Sequence, residues 1–177
     1  IRVCAALGGS TNAIIHLIAI AGRRCLPLPL SLFDELFRTT PLLANLRPSG
    51  RYLMDHFHQA GGLPALLKQM ASLLHLDSLT VSGQTLAQIV ASAECYNSEV
   101  IRPLAQPLDQ GGALAALTGN LIPAGALIKV SAASPTLLQH TGPALVFEGY
   151  EEMLSRIDGA DLAVTPETVL VMRNTGP

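Results

Sequence analysis

Tryptophan is absent from these 177 residues, aromatic residues make up 4% of them, and charged residues only 14%. A typical globular chain carries about 25% charged residues. So little charge implies little exposed area per residue, as expected of a large assembly or of a piece of a longer chain. Charge of one sign is missing too: 11 basic residues face 13 acidic ones, a net charge of -2. Binding nucleic acid through a basic surface is thereby excluded. The three cysteines, Cys4, Cys25 and Cys95, are far apart and form no CxxC pair. That excludes a disulfide-stapled secreted domain, points to a reducing cytoplasm, and offers no spacing for an iron–sulfur cluster. No apolar run approaches the roughly 18 residues that span a bilayer. The longest candidate, Ala13 to Ala21, is interrupted by His16 and followed by Arg23-Arg24. No signal-peptide pattern is present.

What the chain does have is apolar mass. Hydrophobic residues reach 49%, which rules out wholesale disorder. The length suits one domain or parts of two. Both ends read as cuts through a longer protein. Ile1-Arg2-Val3-Cys4 is apolar at once, and Val169 to Met172 is a buried-type strand running into a Gly176-Pro177 turn signal.

The clearest local pattern is Gly8-Gly9-Ser10-Thr11-Asn12 ahead of Ala13 to Ala21. It predicts a loop feeding a helix with Ser10 or Thr11 as N-cap. The helix is apolar nearly all round and is expected to be buried. Arg23 and Arg24 suit its C-terminal end, and Pro27 and Pro29 stop it. A second, short helix is expected over Ser31 to Phe37, with Ser31 as N-cap and Asp34 and Glu35 in its first turns. A proline-containing connector, Thr39 to Gly50, leads to helices over Tyr52 to Ala60 and Leu63 to Leu74. Beyond Leu76 the texture changes. Leu79 to Gly83 reads as a short strand and turn, and Thr85 to Glu94 as a helix. After Pro103 come short β-type runs: Ala113 to Leu117, Ala126 to Val130, Ala144 to Phe147 and Thr168 to Met172. One helix, Glu151 to Asp158, interrupts them. Such spacing suggests a barrel or sandwich. The expected fold is α/β: the helical end of an N-terminal α/β domain, then part of a C-terminal β-barrel domain. The expected boundaries are 1–76, a linker over 77–102, and 103–177.

For chemistry, Ser10, Thr11 and Asn12 stand out. Free backbone N–H groups at a helix start, two glycines that admit a ligand to the backbone, two hydroxyls and an amide suit a carboxylate or phosphate. The same residues also make an ordinary cap and tight turn. They lack the ending of a P-loop and the spacing of a dinucleotide fingerprint. His16, one turn after Asn12, is either a base or a hydrogen-bonded core residue. His56 and His58 alternate, off the helical i, i+4 ligand spacing, and read as surface or interface residues. Lys129, one of two lysines, lies in an apolar β-run and is either tuned by burial or snorkels at a strand edge. Cys4 either faces a site or packs in the core. Gly111-Gly112 and Gly119-Asn120 read as turns, and Glu148, Glu151 and Glu152 as a solvated helix start.

Longer strings carry a resemblance. Ala6-Leu7-Gly8-Gly9-Ser10-Thr11-Asn12-Ala13 with His16-Leu17 resembles the signature of the dihydroxy-acid and sugar-acid dehydratase family. Pro41 to Gly50, Ala60-Gly61-Gly62-Leu63-Pro64 and Thr80-Val81-Ser82-Gly83 continue it in order. So do Gly111-Gly112, Gly119 to Pro123, Ala126 to Lys129, Gly142 to Glu148 and Val171 to Pro177. The wording looks nearest the sugar-acid branch. The resemblance implies a hydro-lyase that turns a 2,3-dihydroxy acid or sugar acid into a 2-keto-3-deoxy acid through an enol. It implies an iron–sulfur cluster as Lewis acid, a magnesium ion and a serine alkoxide as base in the parent, and a homo-oligomer without nucleic-acid or membrane partners. The family's cluster cysteines and most magnesium ligands lie upstream of the glycine loop. The remaining magnesium-binding glutamate and the serine lie downstream of the final Gly-Pro. None of those roles passes to Cys4, Cys25, Cys95 or Lys129. Only Ser10, Thr11 and Asn12 are expected to border the substrate. The chain alone is expected to bind no cluster or magnesium and to be inactive. A non-enzymatic remnant serving in binding or assembly, and an unrelated anion-binding α/β domain, are the alternatives.

Overall fold

The computed structural model describes residues 1–175; the expected Gly176-Pro177 turn lies outside them. The chain divides into two compact units, Ile1–Ala133 and Ser134–Pro177.

In the first unit six helices and one strand pair surround two apolar clusters. Helix α1 (Arg2–Leu7) ends at Gly8, and α2 (Thr11–Arg23) starts three residues later. Helix α3 is Leu30–Arg38, α4 Met54–Gln59, α5 Gly62–Gln69 and α6 Leu86–Ala91. Strands β1 (Ala115–Leu117) and β2 (Ala126–Ile128) pair antiparallel, Ala115 opposite Ile128. The extended segment around Leu43 ties the larger cluster together. Ala6 O accepts from the amides of Leu43 and Ala44 at 2.9 and 3.0 Å, and Arg102 N donates to Leu43 O at 2.9 Å. Leu43, Leu66, Met70 and Ile101 are fully buried there. The smaller cluster gathers Ala5, Ile14, Phe33, Phe37 and Leu114. The Phe33 and Phe37 rings lie 5.9 Å apart and tilted. Each such phenyl burial is worth roughly 1.5–3 kcal/mol. Strand β1 is anchored to this cluster, since Ala116 N donates to Asp34 Oδ1 at 3.3 Å.

The second unit is a β–α–β hand-off. Strands β3 (Ala144–Phe147) and β4 (Val169–Met172) pair in parallel, Ala144 opposite Val169 and Phe147 opposite Met172. Parallel strands need a crossover, and α7 (Tyr150–Arg156) lies within it. The Arg156 guanidinium sits 5.5 Å from the Phe147 ring centroid, and Arg173 Nη1 donates to Glu148 Oε1 at 2.7 Å.

The architecture is therefore mixed α/β, with the strands of a part-domain. Among the described residues the strands form two two-stranded sheets and no closed barrel. No described helix is long and apolar enough to cross a membrane.

Several local expectations need correction. Helix α2 is not buried on all sides. Ile14 is its one fully buried residue, while Ile20 is 64% exposed. Ile14, Leu17 and Ile18 meet the smaller cluster, whereas Asn12, His16, Ala19, Ile20 and Arg23 point away. Hydropathy alone cannot tell an apolar face with a neighbour from one without. Helix α3 begins at Leu30 with Pro29 as N-cap, so its first turn holds no acid and Ser31 makes no cap bond. Asp34 instead pairs one turn on with Arg38, Nε to Oδ2 at 2.7 Å. Tyr52 lies outside α4. Its backbone returns to the connector, Tyr52 N to Asn45 O and Arg47 N to Tyr52 O, both 2.9 Å. The expected Leu63–Leu74 helix stops at Gln69 and tightens into a 3₁₀ turn, Ala71–Leu73. The expected Leu79 strand is one bridge, Leu79 to Thr85, closing a turn.

Candidate functional site at the glycine loop

The loop between α1 and α2 is set by backbone chemistry. Gly8 adopts φ 65 and ψ 44, the left-handed region where a side chain is disfavoured. Gly8 N donates to Ala5 O at 3.1 Å and Gly9 N to Cys4 O at 2.9 Å, the double bond of a Schellman ending. At Gly9 the restriction is contact. A Cβ there would fall 2.6 Å from Cys4 Sγ. The loop thus packs flat on α1, and the chain turns at once into α2.

Ser10 is the N-cap, as the spacing predicts, with extended φ -81 and ψ 141. Its Oγ accepts from Asn12 N at 3.2 Å, and its carbonyl accepts from Ala13 N at 3.1 Å. The Ser10 hydroxyl is thus engaged in capping but keeps its own O–H to donate. Thr11 is half-buried in the first turn, and Asn12 is exposed. His16 is exposed one turn beyond Asn12 on the same face, so it is no core histidine. His56 and His58 are exposed on α4, with His56 Nδ1 accepting from Leu53 N at 3.3 Å.

Sequence reasoning missed the part played by Lys129. Its Nζ donates to Gly8 O at 2.5 Å, across 121 residues. The side chain is half-buried and turned inward onto the glycine loop, not out along the strand edge. Its rarity and its place in an apolar run were the signals available. Cys4 lies under the same loop. Burial pushes its thiol up, opposed by the nearby N-terminal ammonium and by Lys129. Protonated, it fits the apolar contacts it makes with the smaller cluster.

Among the described residues no three His, Cys, Asp or Glu side chains come together. Cys4 lies in α1, Cys25 is exposed beyond α2, and Cys95 Sγ is spent on Ile101 O at 3.5 Å. The three cysteines are thus not brought together as thiolate ligands of one cluster would be. What the loop offers is binding chemistry: hydroxyls, an amide side chain and the positive end of a 13-residue helix.

Comparison with known proteins agrees along the whole chain. Residues 1–89 match the dihydroxy-acid/6-phosphogluconate dehydratase N-terminal domain, and residues 99–177 match the C-terminal domain of the same description. The chain is 48% identical over 179 aligned positions to L-arabinonate dehydratase of Rhizobium leguminosarum, covering all of this chain and 31% of that protein. It is 47% identical to 6-deoxy-6-sulfo-D-gluconate dehydratase of Pseudomonas putida, again over all of this chain and 31% of the relative. Dihydroxy-acid dehydratase 1 of Methanosarcina acetivorans is 43% identical over all of this chain and 32% of its own length. The chain thus spans about a third of the length of the curated relatives it matches. With both domain descriptions matched in order and nearly end to end, the chain belongs to the dihydroxy-acid/6-phosphogluconate dehydratase family.

Proposed function

We propose that this chain is the central segment of a hydro-lyase that removes water from a sugar acid or other 2,3-dihydroxy acid and releases a 2-keto-3-deoxy acid. The turn at Gly8–Asn12 carries the reading. It is a glycine-lined approach to the start of a 13-residue helix, within a chain 48% identical throughout to an L-arabinonate dehydratase. In this reading Ser10, Thr11 and Asn12 border the substrate. The helix start favours its carboxylate, and the hydroxyl and amide side chains exchange hydrogen bonds with its hydroxyls. Proton removal and the Lewis-acid work fall to groups outside these residues, an iron–sulfur cluster and magnesium in the parent by family resemblance. The isolated chain therefore forms no keto acid. The parent is a cytoplasmic homo-oligomer, its N-terminal α/β domain ending near residue 76 and its barrel domain starting near 103.

The test is a chimera in which residues 1–177 replace the matching third of the R. leguminosarum enzyme. Turnover of L-arabinonate within about tenfold of that enzyme supports the reading. A folded chimera without turnover overturns it.

One observation favours a second reading, a binding or assembly module that is not itself an enzyme. The outer face of α2 leaves Ile15 and Ile20 exposed, with Leu26 just beyond it, apolar surface suited to a protein neighbour. An intact mass near 18.6 kDa in the source cells supports the module. A mass about three times larger supports the dehydratase.

A further inference from the structure

We propose that Lys129 is a positioning residue that sets where the start of α2 stands. It does so by holding the Gly8 carbonyl from the C-terminal part of the family match. The consequence for substrate binding rests on the dehydratase reading above; the positioning itself does not.

The two ends of this contact come from different family domains, Gly8 from the part matched over 1–89 and Lys129 from the part matched over 99–177. The ammonium is delivered by a braced frame. Lys129 follows β2 directly, β2 is laddered to β1, and β1 is fastened to α3 through Ala116 N and Asp34 Oδ1. On its far side, Ser131 N donates to Ala113 O at 3.2 Å. Ala113 in turn lies against Gly8, whose Cβ position would be 3.7 Å from the alanine methyl. The receiving end has no side chain of its own to hold it. Gly8 and Gly9 must be fixed through their backbones, and glycine loses more conformational freedom on folding than any other residue. Besides the two amide bonds back to α1 and the packing of Gly8 on Leu42 and of Gly9 on Cys4, the Lys129 bond is what ties this turn to the strand pair. A charged donor makes such a bond shorter and stronger than a neutral one. A lysine serving only to shield a helix end would add stability without changing where Ser10, Thr11 and Asn12 point.

The test compares Lys129→Met, which keeps the stem and removes the donors, with Lys129→Arg, which keeps donors. In the 177-residue chain, amide exchange is read at Gly8, Gly9, Asn12 and Ala13, and at Leu66 and Leu67 as core reference. In the chimera described above, KM and kcat are read for L-arabinonate. The expected result is exchange at least about tenfold faster at the four loop amides in Lys129→Met, with the core amides unmoved and Lys129→Arg close to the unmodified chain. In the chimera, KM rises about tenfold while kcat stays within about threefold, and Lys129→Arg restores KM. Unchanged loop exchange overturns the proposal. So does faster exchange at loop and core alike, which marks plain destabilisation. Faster loop exchange with KM unmoved in an active chimera leaves Lys129 structural and overturns its bearing on substrate. An unmodified chimera without activity refutes the dehydratase reading, and the exchange result then decides the role of Lys129 alone.

Discussion

Replacing Gly9 with alanine tests the packing of the glycine loop on α1. The new Cβ would fall 2.6 Å from Cys4 Sγ, with Cys4 O at 3.2 Å and Cys4 Cα at 3.6 Å. Optimal non-bonded separation is about 3.5–4.0 Å, so the sulfur is overlapped by roughly 1 Å. Cys4 has little room to yield. Its carbonyl holds Gly9 N at 2.9 Å, and its side chain packs on the buried Ala5–Phe33–Phe37 cluster. Overpacking of this kind costs about 1–3 kcal/mol. The cause is one atom, so its removal should cancel most of the cost. In a Cys4→Ala background the nearest remaining atom is the carbonyl at 3.2 Å, a tight contact that a small shift relieves. Gly9→Ala should then cost about 0.5 kcal/mol, a coupling of about 0.5–2.5 kcal/mol between sites in contact. The chain has no tryptophan, so urea unfolding is followed by far-UV circular dichroism. Accessibility of the half-buried Cys95 thiol serves as a second probe of the same unit. A neutral Gly9→Ala, or one equally costly in both backgrounds, refutes the reasoning.

Three further outcomes are expected. Ser10→Ala removes the acceptor of Asn12 N and should lower stability by about 1 kcal/mol, whereas Ser10→Asp keeps the cap and most of the stability; thermal unfolding of the three proteins decides. Cys25 stands at φ 54 just past α2, with Cys25 N bonded to Gly22 O and Leu26 N to Ala21 O. Only the left-handed conformation fits that ending, so Cys25→Gly should stabilise by about 1 kcal/mol, and a lowered urea midpoint would contradict it. In the second unit, the amide of Glu148 and then Arg156 hold the Glu152 carboxyl below its usual 4.5. As pH falls, the unfolded chain binds this proton first, so the contribution is present above about 4.5 and is lost as pH drops through the folded value. Protection of α7 amides against exchange should fall in that window. Arg156→Met should weaken the dependence without abolishing it, because the Glu148 amide remains.

Elements whose cause is local were legible. Ser10 caps α2 because a hydroxyl two residues before an amide can reach it whatever lies beyond. The helix expected over Thr85 to Glu94 also formed, though shorter, as Leu86–Ala91, with Thr85 outside it as the cap that exchanges bonds with Gln88. The runs Ala144–Phe147 and Val169–Met172 became strands to within a residue of the expected bounds. Helix α1 was not legible. Its six residues have no side-chain cap, and the bonds from Leu43 and Ala44 to Ala6 O that hold it come from far along the chain. The site divides likewise. Its capping serine and its glycines were visible, while the sulfur under Gly9 and the ammonium on Gly8 were not.

From its amino-acid order alone, this protein's apolar excess, the Ser10 cap that starts α2, the glycine turn ahead of it and its family likeness are determined. Each depends on residue types within a turn or two of one another, or on a string read in register. Tertiary structure alone decided that β3 and β4 run parallel, that Ile14, Leu17 and Ile18 are the side of α2 that meets the smaller cluster, and that Lys129 closes on Gly8 across 121 residues. Hydrogen bonds and burial depend on distance in space, and spacing along the chain sets that distance only for near neighbours.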